Sequence, residues 1–393
     1  MLSYIYNLAT DKHKGLVAGI VKSFLYCLSL LYGLVVRILI FIYGIGKYKT
    51  LSYTTENRIE AIPKKGLPSV VAKRFSCHLK PYRLNCKVIS VGNITLGGTG
   101  KTSLVALIAK YLKQKGHKVA ILSRGYKRKV TSHKSQVTSH ETMGDEPYML
   151  KMNLGDMPVV VDTNRIRAAK LAIHNYGADT VILDDGLQQW RIKKDLEIVT
   201  IDATCPFGNR KLIPRGILRE PLSSLKRADV FILTKTNLNP DNQNIKDFLS
   251  SINPQSLIVE STHSPLGFYR LDDKDGFLGL EALAGENVTL ISGIADPDSF
   301  QNLIVSLGIN IGLFFRFPDH HNYAKEELDR IIKNSKDKNI DTIITTEKDA
   351  VRLSPYLLPA TCYLLNFLVL RIELKMTKDE QGFYNRLLRL YSY

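Results

Sequence analysis

At 393 residues, 45% of them apolar and 23% charged, the chain has the length and balance of two or three packed domains, which excludes a fibrous or intrinsically disordered protein. The net charge of +17 is uneven: residues 1–90 hold 14 Lys/Arg against three acids, so +11 of it lies there, beside the most apolar stretch. Five scattered cysteines, Cys27, Cys77, Cys86, Cys205 and Cys362, form no C-x-x-C pair, which argues against a disulfide framework or a zinc site and suits a reducing compartment.

Residues 16–46 are that apolar stretch. Basic and apolar character together point to an anionic membrane surface. Basic charge alone would admit nucleic acid, but no nucleic-acid module or basic–aromatic repeat is present, and no nucleic-acid partner is expected. Fourteen uncharged residues separate Lys22 from Arg37, and ILIFIYGIG follows. Counted across Arg37 the run reaches the ~20 apolar residues a bilayer needs; counted up to it, the run is too short. An arginine near mid-membrane costs about 2.5–3.5 kcal/mol on insertion scales. The favoured reading is a helix or helical hairpin lying in the interface, with Lys22, Arg37, Lys47 and Lys49 toward headgroups; a spanning helix and a soluble core helix are the alternatives. The run starts late and no small-residue cleavage site follows, which argues against a cleaved signal peptide. Residues 47–87 are polar, basic and weakly patterned, so 1–87 reads as a membrane-associating segment with its linker.

The stretch 88–102, VISVGNITLGGTGKT, is a short apolar run, a glycine-dense turn and Lys101-Thr102, followed by a helical pattern over 103–116. That order is a phosphate cradle. Glycines let backbone N–H groups approach phosphate oxygens, and a helix N-terminus adds partial positive charge. Lys101 would reach the β/γ-phosphates and the Thr102 hydroxyl would ligate Mg²⁺. The strict P-loop pattern fails only at its first position, where Thr95 stands for Gly. The alternative is a tight turn with a chance Lys-Thr.

Beyond it strands and helices alternate. Strands are expected at 118–122, 158–161, 179–183, 197–201 and 229–233, with a helix over 164–176. This predicts an α/β fold: a P-loop NTPase-like parallel sheet domain at 88–267. The polar run 130–140 reads as a loop. The alternation weakens at 268–287, read as a linker. A smaller C-terminal α/β domain, 288–393, is expected to hold strands at 288–291, 342–345 and 362–367 and helices at 299–307 and 326–333.

Ligands in such sheets gather beyond the carboxyl ends of the strands. Asp184-Asp185 end one strand, where a Mg²⁺-holding carboxylate sits; a capped turn is the alternative. Gly144-Asp145-Glu146-Pro147 reads as a helix start capped by Asp145 or Glu146, or as a turn presenting Asp145 as a general base. Phe317-Pro318-Asp319-His320-His321 clusters acid and imidazole; His320 could support a base, and the plain alternative is a solvent-facing pair. Adjacent His320 and His321 seldom point the same way, so a metal site there is not expected. Arg124, in SRGY, could clamp a phosphate, and Arg219-Glu220 and Thr346 to Asp349 follow other strands or turns.

Together these stretches are not anonymous. The chain resembles the tetraacyldisaccharide 4′-kinase family, the lipid A kinases of Gram-negative bacteria. The matching residues are VGNITLGGTGKT (91–102), SRGY (123–126), GDEP (144–147), DDGLQ (184–188), DLEIV-ID (195–202), LREPLSSLKRADV (218–230), FPDHH-Y (317–323) and TTEKDAVRL (345–353), in collinear order. The resemblance implies phosphoryl transfer from ATP to the 4′-hydroxyl of a tetraacylated glucosamine disaccharide 1-phosphate, giving lipid IVA. It implies that Thr95, Leu96, Gly97, Gly98, Thr99, Gly100, Lys101 and Thr102 bind the triphosphate and Mg²⁺, that Asp145 is the base assisted by His320, and that Asp184, Asp185, Gln188 and Glu220 surround the metal and γ-phosphate. Arg124 and Tyr126 would line the cleft. A monomer on the cytoplasmic face of the inner membrane is expected, because a lipid acceptor leaves the bilayer at a cost of ~0.8 kcal/mol per CH₂. The chain departs from the family at Gln189, where the family has His. A membrane-associated switch ATPase of the partitioning type is the competing reading, but such proteins carry an extra Lys early in the P-loop and Thr95-Leu96-Gly97 has none.

Overall fold

The computed structural model describes residues 8–11, 15–43, 80–125, 143–239, 241–273, 276–353 and 365–392. Most of the linker at 47–87, the loop at 130–140, Tyr126, Lys47, Lys49 and the start of the strand read at 362 lie outside the described residues. The chain forms two compact units. The first comprises Met1–Leu122, Asn164–Thr262 and Met376–Tyr393; the second comprises Ser123–Thr163 and His263–Lys375. The sequence puts its boundary at 268–287. The chain crosses near there, but 123–163 also join the second unit and the C-terminus returns to the first. Patterning orders elements along the chain and carries no signal for such returns.

In the first unit, β1 (Lys87–Asn93), β2 (Val119–Ser123), β4 (Thr180–Asp184), β5 (Leu196–Asp202), β6 (Val230–Thr234) and the first part of β7 (Leu257–Arg270) lie in the order β7-β6-β5-β1-β4-β2, each pair parallel. Val88, Ile89 and Val91 of β1 are buried, as a strand covered on both faces requires. Helix Lys101–Gln114 buries Leu104, Val105, Ile108 and Leu112, one helical stripe. Asn164 caps helix Arg165–Tyr176 by accepting from the N–H groups of Ile166 and Arg167. Asp241 likewise caps helix Asn242–Ile252. Helix Glu380–Leu388 completes the unit near the C-terminus.

The apolar stretch is one continuous helix, Leu16–Ile42, of 27 residues and so about 40 Å long. It is long and apolar enough to cross a membrane. Leu16, Phe24, Leu31 and Phe41 are exposed, whereas Ala18, Ser29, Gly33 and Val36 form a buried stripe. Along that stripe Lys211 sits over the Tyr26 ring, the Tyr32 hydroxyl donates to the Arg219 carbonyl at 2.8 Å, and Tyr43 meets Trp190. Lys22, expected at headgroups, is instead 2.7 Å from Asp11, which also holds Arg215.

In the second unit, β9 (Asn287–Ser292), β10 (Asn310–Arg316), β11 (Thr342–Thr346) and β12 (Asn366–Lys378) run parallel in the order β10-β9-β11-β12. The short β3 (Val159–Val161) belongs here, and β8 (Phe277–Leu278) pairs antiparallel with the far part of β7. Helices Asp145–Leu154, Pro297–Ser306, Lys325–Asp337 and Glu347–Leu353 complete it. Ile291, Leu328, Ile331, Ile343 and Phe367 form one core. β10 is absent from the sequence reading: its register shifts between Ile311 and Leu313, which breaks the two-residue period that marks a strand.

Candidate active site

Two clusters, one in each unit, hold the residues singled out from sequence. In the first unit, β1 delivers the chain to the glycine turn. Gly97 (φ 114°) and Gly100 (φ 76°) adopt left-handed backbone that side-chain-bearing residues rarely take. Thr95 is buried and bridges Leu218; the Leu96 N–H donates to the Ile217 carbonyl at 2.8 Å. A Cβ at Gly97 or Gly98 would meet nothing within 4 Å, so the turn's backbone is open on that side. Beneath it, the buried Thr99 and Thr200 hydroxyls lie 2.7 Å apart and Thr200 donates to the Gly92 carbonyl, fixing the turn to β5. Lys101 and Thr102 then open a 14-residue helix from Gly100. An open glycine turn running into a helix N-terminus is an anion cradle.

The turn after β4 faces that cradle's lysine. Lys101 Nζ is 3.8 Å from Asp185 Oδ1. Arg219 grips the same carboxylate with both terminal nitrogens, at 2.7 and 2.9 Å, and also donates to Asn93 Oδ1 at 3.1 Å. Burial pushes the Asp185 carboxyl up, but the Arg219 hydrogen bonds and the Lys101 charge outweigh it and hold the group below the usual carboxylate range. Asp185 is left-handed (φ 54°), a conformation Asp tolerates better than most residues. Asp184 is buried at the strand end. At Gly186 a Cβ would collide with Ser90 Oγ, so this turn lies against β1 only because the residue is glycine. Lys194 Nζ donates to the Gly186 and Leu187 carbonyls and pairs with Glu197, bracing the turn from behind. Gln188 Nε2 donates to the Asn93 carbonyl, while its buried Oε1 has no hydrogen-bond partner among the described residues.

Glu220 follows Arg219 on the same loop. It is fully buried, with Oε2 accepting from Arg227 at 2.9 Å and Oε1 from Trp190 at 3.2 Å. Buried and held by these two partners, the Glu220 carboxylate supports the loop carrying Arg219. Arg124 follows β2 with an exposed side chain, in the second unit.

The second cluster joins three segments of the second unit. Asp145 is the first residue of helix Asp145–Leu154, with Gly144 at the cap position and no side-chain cap bond. The capping alternative for Asp145 and Glu146 therefore falls away. Asp145 Oδ2 lies 3.0 Å from His320 Nδ1 and accepts from Arg352 Nε at 2.8 Å. The sequence reading put Asp145 and His320 in separate domains; one compact unit holds both. Burial raises the Asp145 carboxyl, and His320 and Arg352 overcome it, holding it at about 2. His320 is left-handed (φ 60°) and its N–H donates to the Gly293 carbonyl. His321 points elsewhere: it stacks on Phe317 and pairs with Glu327 at 2.9 Å. Asn93 and Arg352 were not singled out from sequence, and Arg219 and Asp349 were named there only within their blocks, without a role. Each lies in or beside a conspicuous block, but only packing reveals its partner.

Thr102, Asp184, Asp185 and the unpartnered Gln188 oxygen are hard oxygen donors, the kind Mg²⁺ takes together with substrate phosphates. Among the described residues no three His, Cys, Asp or Glu side chains gather into an all-protein metal cage. The donor set therefore fits Mg²⁺ bound with a triphosphate.

The described geometry has counterparts in known proteins. The family model of tetraacyldisaccharide-1-P 4′-kinase matches residues 69–392. A tetraacyldisaccharide 4′-kinase of Halothermothrix orenii is 39% identical over 294 residues, covering 70% of this chain and 76% of the relative. One from Desulfatibacillum aliphaticivorans is 32% identical over 359 residues, covering 88% and 86%. A crystal structure of LpxK from Aquifex aeolicus in complex with ATP superimposes with a TM-score of 0.70 at 26% identity, over 95% of this chain and all of that one. The match runs through both units and all eight sequence blocks, and the chain belongs to the tetraacyldisaccharide-1-P 4′-kinase family.

Proposed function

We propose that this kinase transfers the γ-phosphoryl group of ATP to the 4′-hydroxyl of a tetraacylated glucosamine disaccharide 1-phosphate, giving lipid IVA. The observation that carries the reading is the open glycine turn at 97–102, with Lys101 at the start of a helix and Asp185 and Arg219 beside it. Backbone N–H groups of the turn and Lys101 bind the β- and γ-phosphates. Asp185 keeps Lys101 and Arg219 oriented as paired cations. Thr102, Asp184, Asp185 and Gln188 would hold Mg²⁺, which when bound neutralises charge on the β- and γ-phosphates. The acceptor oxygen attacks phosphorus as the bond to the β-phosphate oxygen breaks, ADP leaves, and the hydroxyl proton passes to Asp145, supported by His320. A carboxylate held at about 2 is ionised at every physiological pH, the form in which it offers a lone pair to that proton. The test is label transfer from γ-labelled ATP. Acceptor-dependent labelling of lipid is expected; acceptor-independent release of phosphate would overturn the reading.

The helix Leu16–Ile42 is the membrane contact. It lies in the interface rather than across it, because its buried stripe, Tyr26 and Tyr32 along it and Tyr43 at its C-terminal end meet residues at 190 and 211–219. Its exposed apolar side chains enter the acyl region and Arg37 reaches headgroups. ATP is cytoplasmic, so the enzyme works on the cytoplasmic face of the inner membrane. Deleting residues 1–46 is expected to move the protein from the membrane pellet to the supernatant on sedimentation; an unchanged pellet would remove this assignment.

A further inference from the structure

The geometry points to Arg352 as the residue that positions the Asp145–His320 pair, a role that rests on Asp145 being the proton acceptor. One guanidinium, its side chain 2% exposed, reaches both members. Nε donates to Asp145 Oδ2 at 2.8 Å, and the second terminal nitrogen lies 3.1 Å from His320 Nδ1. The remaining terminal nitrogen is anchored on Asp349 Oδ1 at 3.3 Å and the Gly293 carbonyl at 3.4 Å. Asp349 is itself fully buried and fixed by the Tyr323 hydroxyl (3.0 Å), the Gly293 N–H (3.1 Å) and the Thr346 hydroxyl (2.8 Å). Helix Glu347–Leu353 thus presents a braced cation to the first residue of another helix.

The donor inventory defines what this does. A guanidinium has only donors. When it donates to His320 Nδ1, that nitrogen must offer its lone pair, and the proton of the neutral ring sits on Nε2. When Nδ1 is protonated it donates to Asp145 instead. In both states the contacts fall on Oδ2, and among the described residues Oδ1 has no hydrogen-bond partner. Arg352 therefore selects which carboxylate oxygen remains for the acceptor hydroxyl and stops the carboxylate from turning. His320 alone would leave the two oxygens interchangeable. A lysine could supply the charge but not three donors in one plane.

The test uses the full chain with ATP and acylated disaccharide 1-phosphate, comparing R352Q, R352K, D145N and D145N/R352Q. R352Q is expected to lower kcat about 10- to 100-fold, the range for losing a charge-assisted hydrogen bond, with KM for ATP within about twofold. R352K is expected to recover part of the loss. On the D145N background R352Q is expected to change kcat less than about twofold, because it acts through a carboxylate no longer there. If R352Q does not fold, R352K decides: a lower kcat at unchanged ATP KM is expected. A kcat like that of the wild type, or the same fold-loss on the D145N background, would overturn the assignment. Full turnover by D145N alone would instead remove Asp145 as the base, so the two failures are separable.

Discussion

Lys101→Ala is expected to reduce phosphoryl transfer by about a thousandfold or more while the protein stays folded. The size follows from the reaction. Charge on the migrating phosphoryl group is spread over its oxygens, there is little covalent chemistry for the protein to do, and a single cation aimed at those oxygens is worth 10³–10⁵ in comparable sites. The small structural effect follows from the surroundings. Among the described residues Lys101 makes one ion pair, a long one at 3.8 Å to Asp185, and Asp185 retains both hydrogen bonds from Arg219 when it is gone. Alanine is at least as good a helix former as lysine. The melting temperature is therefore expected to move by only a few degrees, while labelled lipid disappears. Near-normal turnover would mean that the glycine turn does not grip a triphosphate.

That prediction stands on features plain in the sequence. β1, the glycine turn and helix Lys101–Gln114 are contiguous, and their roles follow from apolar periodicity, glycine and helix-end chemistry. Five of the six parallel strands of the first unit were legible for the same reason, as short apolar runs ending in polar residues; β7, where Glu260 to Ser264 interrupt the apolar run, was not read. The reading failed where structure depends on distant partners. Glu220 stands out beside Arg219 in the sequence, but its partners Arg227 and Trp190 are visible only in the fold. Lys22 looks like a headgroup contact, yet Asp11 pairs with it. β10 hides behind its register shift. Asp145 and Arg352 stand 207 residues apart, and neither period nor propensity connects them. The link from Asp145 to His320 came from family resemblance; only the fold shows that Arg352 is the third member.

Asp145→Asn is the sharper test of the second cluster. It is expected to lower kcat by about 10²–10⁴, the usual contribution of a positioned general base, with affinity for ATP little changed. Asparagine keeps the shape, and its carbonyl oxygen still accepts from Arg352, so the helix start at Gly144 is preserved. The change removes the negative charge and the basic oxygen. It also has a signature in stability. The Asp145 carboxyl is lowered from 3.8 to about 2 in the folded protein. A lowered carboxyl contributes stability above its unfolded value, and that contribution is lost as pH falls through the folded one. The wild type is therefore expected to exceed the variant in stability at pH 7, with the gap closing between about pH 4 and pH 2 in acid unfolding. Equal losses of kcat and ATP affinity would mark Asp145 as a structural helix-start residue. A stability gap that does not close on acidification would mean that Arg352 and His320 do not hold its charge.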